Sequence, residues 1–219
     1  MSAGRRLALL LIGAGMGMAA SGHGGSVASA ADPDRGRAIF IGKQCIRCHP
    51  AAGKQVAGPL LSDLRRPQGE MELAGRLWNH VPAMFSMLAQ EGLEWPRISV
   101  SEMADLMGYL QADPARDPEI DLAKGQVTLI RKGCLKCHSL RREGGQVEPD
   151  LAEPRSDYES PAAWAAAMWT HTPGMAGMAS RQGIPYPRFS ADEMVNLVGF
   201  LRFAATSAPP GRPRTGPKR

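Results

Sequence analysis

The pentapeptide Cys45-Ile46-Arg47-Cys48-His49 recurs as Cys134-Leu135-Lys136-Cys137-His138, and it consumes every cysteine in the 219-residue chain. The likeness spreads outward from it. Upstream, Gly36 and Phe40 match Gly125 and Leu129; downstream, Pro59 and Leu61 match Pro149 and Leu151 after a one-residue shift. After a further shift, Trp78-Asn79-His80-Val81-Pro82-Ala83-Met84 lies on Trp169-Thr170-His171-Thr172-Pro173-Gly174-Met175. Trp95-Pro96-Arg97-Ile98-Ser99 then lies on Tyr186-Pro187-Arg188-Phe189-Ser190. A self-match of this length is an internal repeat.

The pattern within each repeat is helical. Ser99 with Glu102, and Ser190 with Glu193, form Ser-x-x-Glu capping boxes that satisfy the free amides of a first helical turn. Behind them Met103, Leu106, Met107 and Leu110, like Met194, Leu197, Val198 and Leu201, follow the spacing of one apolar helix face and read as core. An earlier helix is expected in each repeat, from about Asp34 to Lys43 and from about Leu122 to Lys132. Gly36 and Gly125 on these helices would admit the terminal helix closely at Tyr109 and Phe200. Asp113-Pro114-Ala115-Arg116-Asp117-Pro118 ends one repeat and reads as a short, stiff linker. The expected boundaries are 31–113 for the first domain, 114–119 for the linker, 120–205 for the second domain and 206–219 for a disordered basic tail.

The N-terminus reads as an address. Arg5 and Arg6 precede an apolar run from Leu7 to Ala20, and Ala28-Ser29-Ala30 closes a small-residue stretch, so residues 1–30 are expected to be a cleaved signal peptide. The run is shorter than the ~20 residues a membrane span needs, and no stable insertion is expected after cleavage. The formal charge of +5 is misleading. Setting aside the two signal arginines and Arg212, Arg214, Lys218 and Arg219 of the tail leaves about −1 for the folded part. That balance argues against a nucleic-acid surface and leaves the tail room for a weak electrostatic contact with an acidic partner or membrane.

Cys-x-x-Cys-His is the attachment signature of c-type haem: two thiols on one turn reach the two vinyl groups, and the adjacent histidine reaches iron. A zinc site built from the two cysteine pairs and a thioredoxin-like redox pair are the alternatives. Neither uses a histidine after both pairs in an exported chain. Each repeat, at roughly 80 residues, would make a marginal core by itself. Two covalent haem c groups would supply the missing apolar centres.

With these motifs the chain resembles the class I c-type cytochrome family, and its tandem form is similar to the soluble dihaem cytochromes typified by cytochrome c4. The resemblance spans nearly all of the mature chain. It implies an all-α fold of two tandem domains, each a small helical body wrapped around one haem, with Cys45, Cys48, Cys134 and Cys137 as attachment residues and His49 and His138 as iron ligands. It also implies that the carbonyls of Pro59 and Pro149 accept from the far nitrogen of those histidines. Gly58-Pro59-Leu60-Leu61 fits the family's Gly-Pro-x-Leu segment, whereas Glu148-Pro149-Asp150-Leu151 lacks the glycine.

For the sixth ligand the resemblance favours a methionine in a loop shaped by a nearby proline, which points to Met84 and Met175 beside Pro82 and Pro173. Met87 and Met178, one helical turn later, and His80 and His171 remain alternatives. The gap between Met84 and the helix after Ser99 is longer than the family's pattern. The segments Trp95–Arg97 and Tyr186–Arg188 are expected to fold over the haem edge. Arg97 and Arg188, with Trp78 and Trp169, are candidates for haem propionate contacts, since a guanidinium fork matches a carboxylate and an indole offers one donor.

The functional expectation is a periplasmic electron carrier or relay between redox partner proteins, exported by the Sec route and not an enzyme. The alternatives are a dihaem enzyme with one open iron, peroxidase-like or thiosulfate-oxidising, and a permanent electron-transfer subunit of a dehydrogenase.

Overall fold

Asp32 starts the first helix. Its carboxylate accepts from the amides of Asp34 (2.9 Å) and Arg35 (3.2 Å), and Pro33 fills the first turn, where its missing N–H costs nothing. The computed structural model describes residues 31–54 and 57–207. The expected signal peptide, and the tail beyond Ser207, lie outside the described residues. The helices are α1 (Pro33–Gly42), α2 (Leu61–Leu64), α3 (Glu70–Gln90), α4 (Val100–Tyr109), α5 (Leu122–Arg131), α6 (Pro161–Arg181) and α7 (Ala191–Ser207). The protein is mostly helical.

Glycine sets the packing inside each repeat. A Cβ on Gly36 would fall on the backbone carbonyl of Asp105 and 2.7 Å from Cβ of Tyr109; one on Gly125 would fall on that of Asn196 and 2.6 Å from Cβ of Phe200. Thus α1 crosses α4, and α5 crosses α7, at a separation that only glycine permits. Both capping boxes form as expected: the amides of Ser99 and Ser190 donate to Glu102 (2.8 Å) and Glu193 (3.0 Å), and the serine hydroxyls accept in return. Met103, Leu106, Met107, Leu110, Met194, Leu197 and Leu201 are buried, while Val198 is only half-buried and Val195 takes a core position beside it.

Two features depart from the sequence reading. A two-stranded antiparallel hairpin, β1 (Ser139–Leu140) and β2 (Glu143–Gly144), follows the second cysteine motif. Its turn residues Arg141 (φ 54) and Arg142 (φ 72) both adopt the left-handed conformation. Asp150 holds them by accepting from both amides and from the Ser139 hydroxyl. Helix α7 also continues through Thr206 and Ser207, inside the stretch expected to be tail.

The linker is pinned rather than free: the Asp117 carboxylate accepts from the amides of Met71 (3.0 Å) and Glu72 (3.3 Å), capping α3 from a distance. The two repeats pack as a single compact unit through α3 and α6, and α3 also meets α7 while α6 meets α4.

Candidate functional site

Each cysteine motif is built the same way. A residue in the left-handed conformation, Gln44 (φ 64) or Gly133 (φ 75), ends the preceding helix and turns the chain into a tight 3-10 turn, Cys45–Arg47 or Cys134–Lys136. The amides of His49 and His138 then donate to the carbonyls of Cys45 and Cys134, both at 3.0 Å. Two thiols and one imidazole are thereby fixed on one compact turn, twice.

Nδ1 of His49 lies 3.0 Å from the Pro59 carbonyl, and Nδ1 of His138 lies 2.9 Å from that of Pro149. A carbonyl can only accept, so Nδ1 carries the proton, and in the neutral ring Nε2 is left with the lone pair that a metal requires. Gly58 explains part of the first arrangement, because a Cβ there would stand 2.6 Å from Nδ1 of His49.

Burial pushes the thiols of Cys45 and Cys134 up to about 11. A redox Cys-x-x-Cys pair needs the opposite, a thiol lowered toward the thiolate. Among the described residues no three His, Cys, Asp or Glu side chains gather in a way that could hold a metal ion.

In the second repeat these groups open onto a cavity of about 330 Å³, lined by Cys134, Cys137 and His138 on one side and by His171, Met175 and Met178 of α6 on the other. His171 and His138 face each other with ring centroids 6.1 Å apart and planes at 57°. Burial, and then the neighbouring His138, hold the His171 imidazole below its ordinary range. In the first repeat Met84 is half-buried against the core, Met87 is 36% exposed, and His80 is exposed with Nδ1 donating to the Arg76 carbonyl at 2.6 Å.

All six candidate sixth ligands therefore stand on helices, not in loops. The expectation of a proline-shaped ligand loop is corrected: Pro82 and Pro173 lie inside α3 and α6. A helical proline removes one donor and leaves the carbonyl four residues earlier unpaired. Those carbonyls belong to Trp78 and Trp169. Each is satisfied by the opposite repeat, Trp78 O by the Tyr186 hydroxyl (2.9 Å) and Trp169 O by Nε1 of Trp95 (3.1 Å).

The indoles of Trp78 and Trp169 are likewise turned across the repeats. Nε1 of Trp78 donates to the Pro187 carbonyl (2.7 Å), and Nε1 of Trp169 donates to the Pro96 carbonyl (2.8 Å). Their only donors are spent, so the expected propionate contacts give way to an inter-repeat clasp, in which Trp78 stacks on Tyr186 (5.6 Å) and Trp95 on Trp169 (4.2 Å). Arg97 and Arg188 are exposed, and it is their backbone carbonyls that are engaged, by Lys43 (2.7 Å) and Lys132 (2.6 Å).

Arg155, missed in the sequence, lines the cavity together with Tyr158 and Trp164. No repeated motif marked these three. The hydroxyl of Tyr158 donates to the Leu151 carbonyl at 2.9 Å, and burial pushes it up to about 12.

Residues 122–204 match the family model of cytochrome c. This stretch is a cytochrome c domain. Searches of curated proteins and of solved structures returned no match to the chain. A cytochrome c domain binds haem c covalently and works in electron transfer. The residues present fit that group: two half-buried thiols on one turn, an imidazole whose Nδ1 is tied to a carbonyl so that Nε2 is the nitrogen left for a metal, and an apolar cavity lined by all three. Among the described residues no helix is long and apolar enough to cross a membrane.

Proposed function

We propose that the chain is an exported dihaem c-type cytochrome, with one haem c in each repeat, that relays electrons between periplasmic redox proteins. The observation that carries this reading is the duplicated His–Pro bond: His49 and His138 are oriented alike, each behind an identical cysteine turn, although only the second repeat matches the family.

Bound haem c would supply a one-electron iron couple. Cys45 and Cys48 would hold one group, and Cys134 and Cys137 the other. In each attachment the sulfur bonds one vinyl carbon and the thiol hydrogen goes to its neighbour, so no oxidant is needed. His49 and His138 offer Nε2 to iron, and the carbonyls of Pro59 and Pro149 fix the ring tautomer and increase its electron donation. Met84 is the candidate sixth ligand in the first repeat; in the second, His171, Met175 and Met178 all reach the cavity.

Were His49 with Met84, and His138 with one of the α6 candidates, each to hold an iron, no position would be left for a substrate, which favours a carrier over an enzyme. The segment before Ala31 reads as an export signal, and the basic tail is suited to weak docking on an acidic partner.

Mass measurement on the denatured chain, expressed with a haem-attachment system, tests the count. Two added haems, reduced to one by either Cys45→Ser/Cys48→Ser or Cys134→Ser/Cys137→Ser, support the reading; a single haem unaffected by the first pair overturns it. Carbon monoxide added to the reduced protein tests the role. Indifference supports a carrier, and ready binding at one iron moves a dihaem enzyme to first place.

A further inference from the structure

The two repeats differ at one functional position. His80 and His171 occupy matching places on α3 and α6, yet His80 is exposed while His171 is half-buried and lines the cavity opposite His138. Nδ1 of His80 is tied to its own helix at the Arg76 carbonyl, whereas among the described residues no hydrogen bond engages the His171 ring.

The separation of the second pair has a physical meaning. Two imidazoles bound to opposite faces of one metal through bonds of about 2 Å place their ring centres roughly 6 Å apart. The rings of His138 and His171 stand 6.1 Å apart. His138 is held by the Pro149 carbonyl through Nδ1, which leaves Nε2 as the nitrogen free for a metal, so the spacing suits an iron shared by both rings.

We propose that His171, not Met175, is the sixth ligand of the C-terminal iron, while Met84 serves the N-terminal one. The proposal rests on the reading that both repeats carry haem c. Met175 and Met178 then pack against the porphyrin face, a setting suited to a flexible, polarizable side chain. Methionine raises the potential of haem iron, and a second histidine leaves it lower. The molecule is thereby directional: an electron received at the C-terminal site runs downhill to the N-terminal one. Trp78 links the repeats here, because it belongs to the first and lines the cavity of the second.

The test uses the full-length, haem-loaded protein. Its ferric absorption spectrum reports the weak methionine-to-iron band, and its electron paramagnetic resonance spectrum reports iron held by two imidazoles. Wild-type protein is expected to show one haem of each kind and two separated steps in a potential titration.

Met84→Leu should abolish the methionine band entirely, and Met175→Leu should leave both spectra unchanged. His171→Ala should abolish the bis-histidine signal and open one reduced iron to carbon monoxide. Two methionine-ligated haems in the wild type, or loss of half the methionine band in Met175→Leu, would overturn the proposal. Because Met175→Leu conserves volume, that arm stays readable even where His171→Ala fails to fold. The haem count by mass is read on the same samples, so a chain carrying one haem fails the dihaem reading separately from the ligand assignment.

Discussion

The Tyr186 hydroxyl donates to the Trp78 carbonyl at 2.9 Å, and that carbonyl is the one from which Pro82 withdraws the helical donor. The reciprocal bond, Trp95 Nε1 to the Trp169 carbonyl, repairs the same defect below Pro173. Each proline thus makes its helix dependent on the other repeat. Two sequence repeats are joined into one body by a pair of main-chain vacancies filled in exchange.

Removing the donor should therefore cost more than its contact area suggests. Tyr186→Phe keeps the ring stacked on Trp78 but strands a largely buried carbonyl, with an expected loss of about 1–3 kcal/mol. Pro82→Ala restores a helical N–H to that carbonyl. In its background Tyr186→Phe should cost less than half as much, and a urea-denaturation double-mutant cycle measures the coupling. Strict additivity would show that the hydroxyl acts elsewhere.

Glycine positions separate into two kinds. Gly125→Ala drives a methyl group into the backbone of α7 at Asn196, so about 3 kcal/mol of destabilisation is expected. Gly174, inside α6, has nothing within 4 Å of where its Cβ would stand. Gly174→Ala should instead stabilise by about 0.5–1 kcal/mol through the helix backbone. Thermal melts of the two variants should move in opposite directions.

The parts legible in the sequence were those written locally or written twice. Capping boxes, helix faces and the cysteine turns depend on residues within a few positions of each other, and the glycine crossings were marked by their recurrence at Gly36 and Gly125. What crosses between repeats was not legible. Trp78 and Pro187 carry no local sign that they will meet, and a proline two residues before a methionine reads equally as a ligand loop or as an interrupted helix. The hairpin at Ser139–Gly144 has a similar cause: it turns on two successive arginines in the left-handed conformation, which favours glycine or asparagine. Only the later Asp150 compensates. Arg155 faces the cavity without a marked counterpart in the first repeat, so repetition could not reveal it.

Gly58→Ala tests the orientation of His49. Its methyl group would press on the imidazole that donates to the Pro59 carbonyl, so the ring must tilt and weaken that bond. Under the proposal of one haem in each repeat, the expected outcome is a mixed population by mass, with an increased share of chains carrying one haem, and a changed spectrum for the first repeat alone. The second repeat holds Glu148 at the matching position and should be unaffected. Equal loss from both repeats would point to general misfolding.

Asp105 and Asn196 form a natural comparison for acid sensitivity. Each accepts from the backbone amide that precedes its repeat's first helix, Asp32 at 2.8 Å and Asp121 at 2.7 Å, but only Asp105 is charged and bonded to Arg35 at 2.9 Å. The Arg35 hydrogen bond, opposed by burial and aided by the Asp32 amide, holds the Asp105 carboxyl below the ordinary carboxylate range. A depressed carboxylate contributes stability that is complete above its unfolded value and disappears as pH falls through the folded one. Because Arg35 is 55% exposed, solvent screens the pair and the contribution is small. Asp105→Asn should keep the amide bond, as Asn196 does, and lose that increment at neutral pH. The gap between variant and wild type should then close as the solution is acidified below pH ~4. Urea midpoints measured from neutral to acid pH check it, and a gap that stayed constant would assign the loss to packing and not to charge.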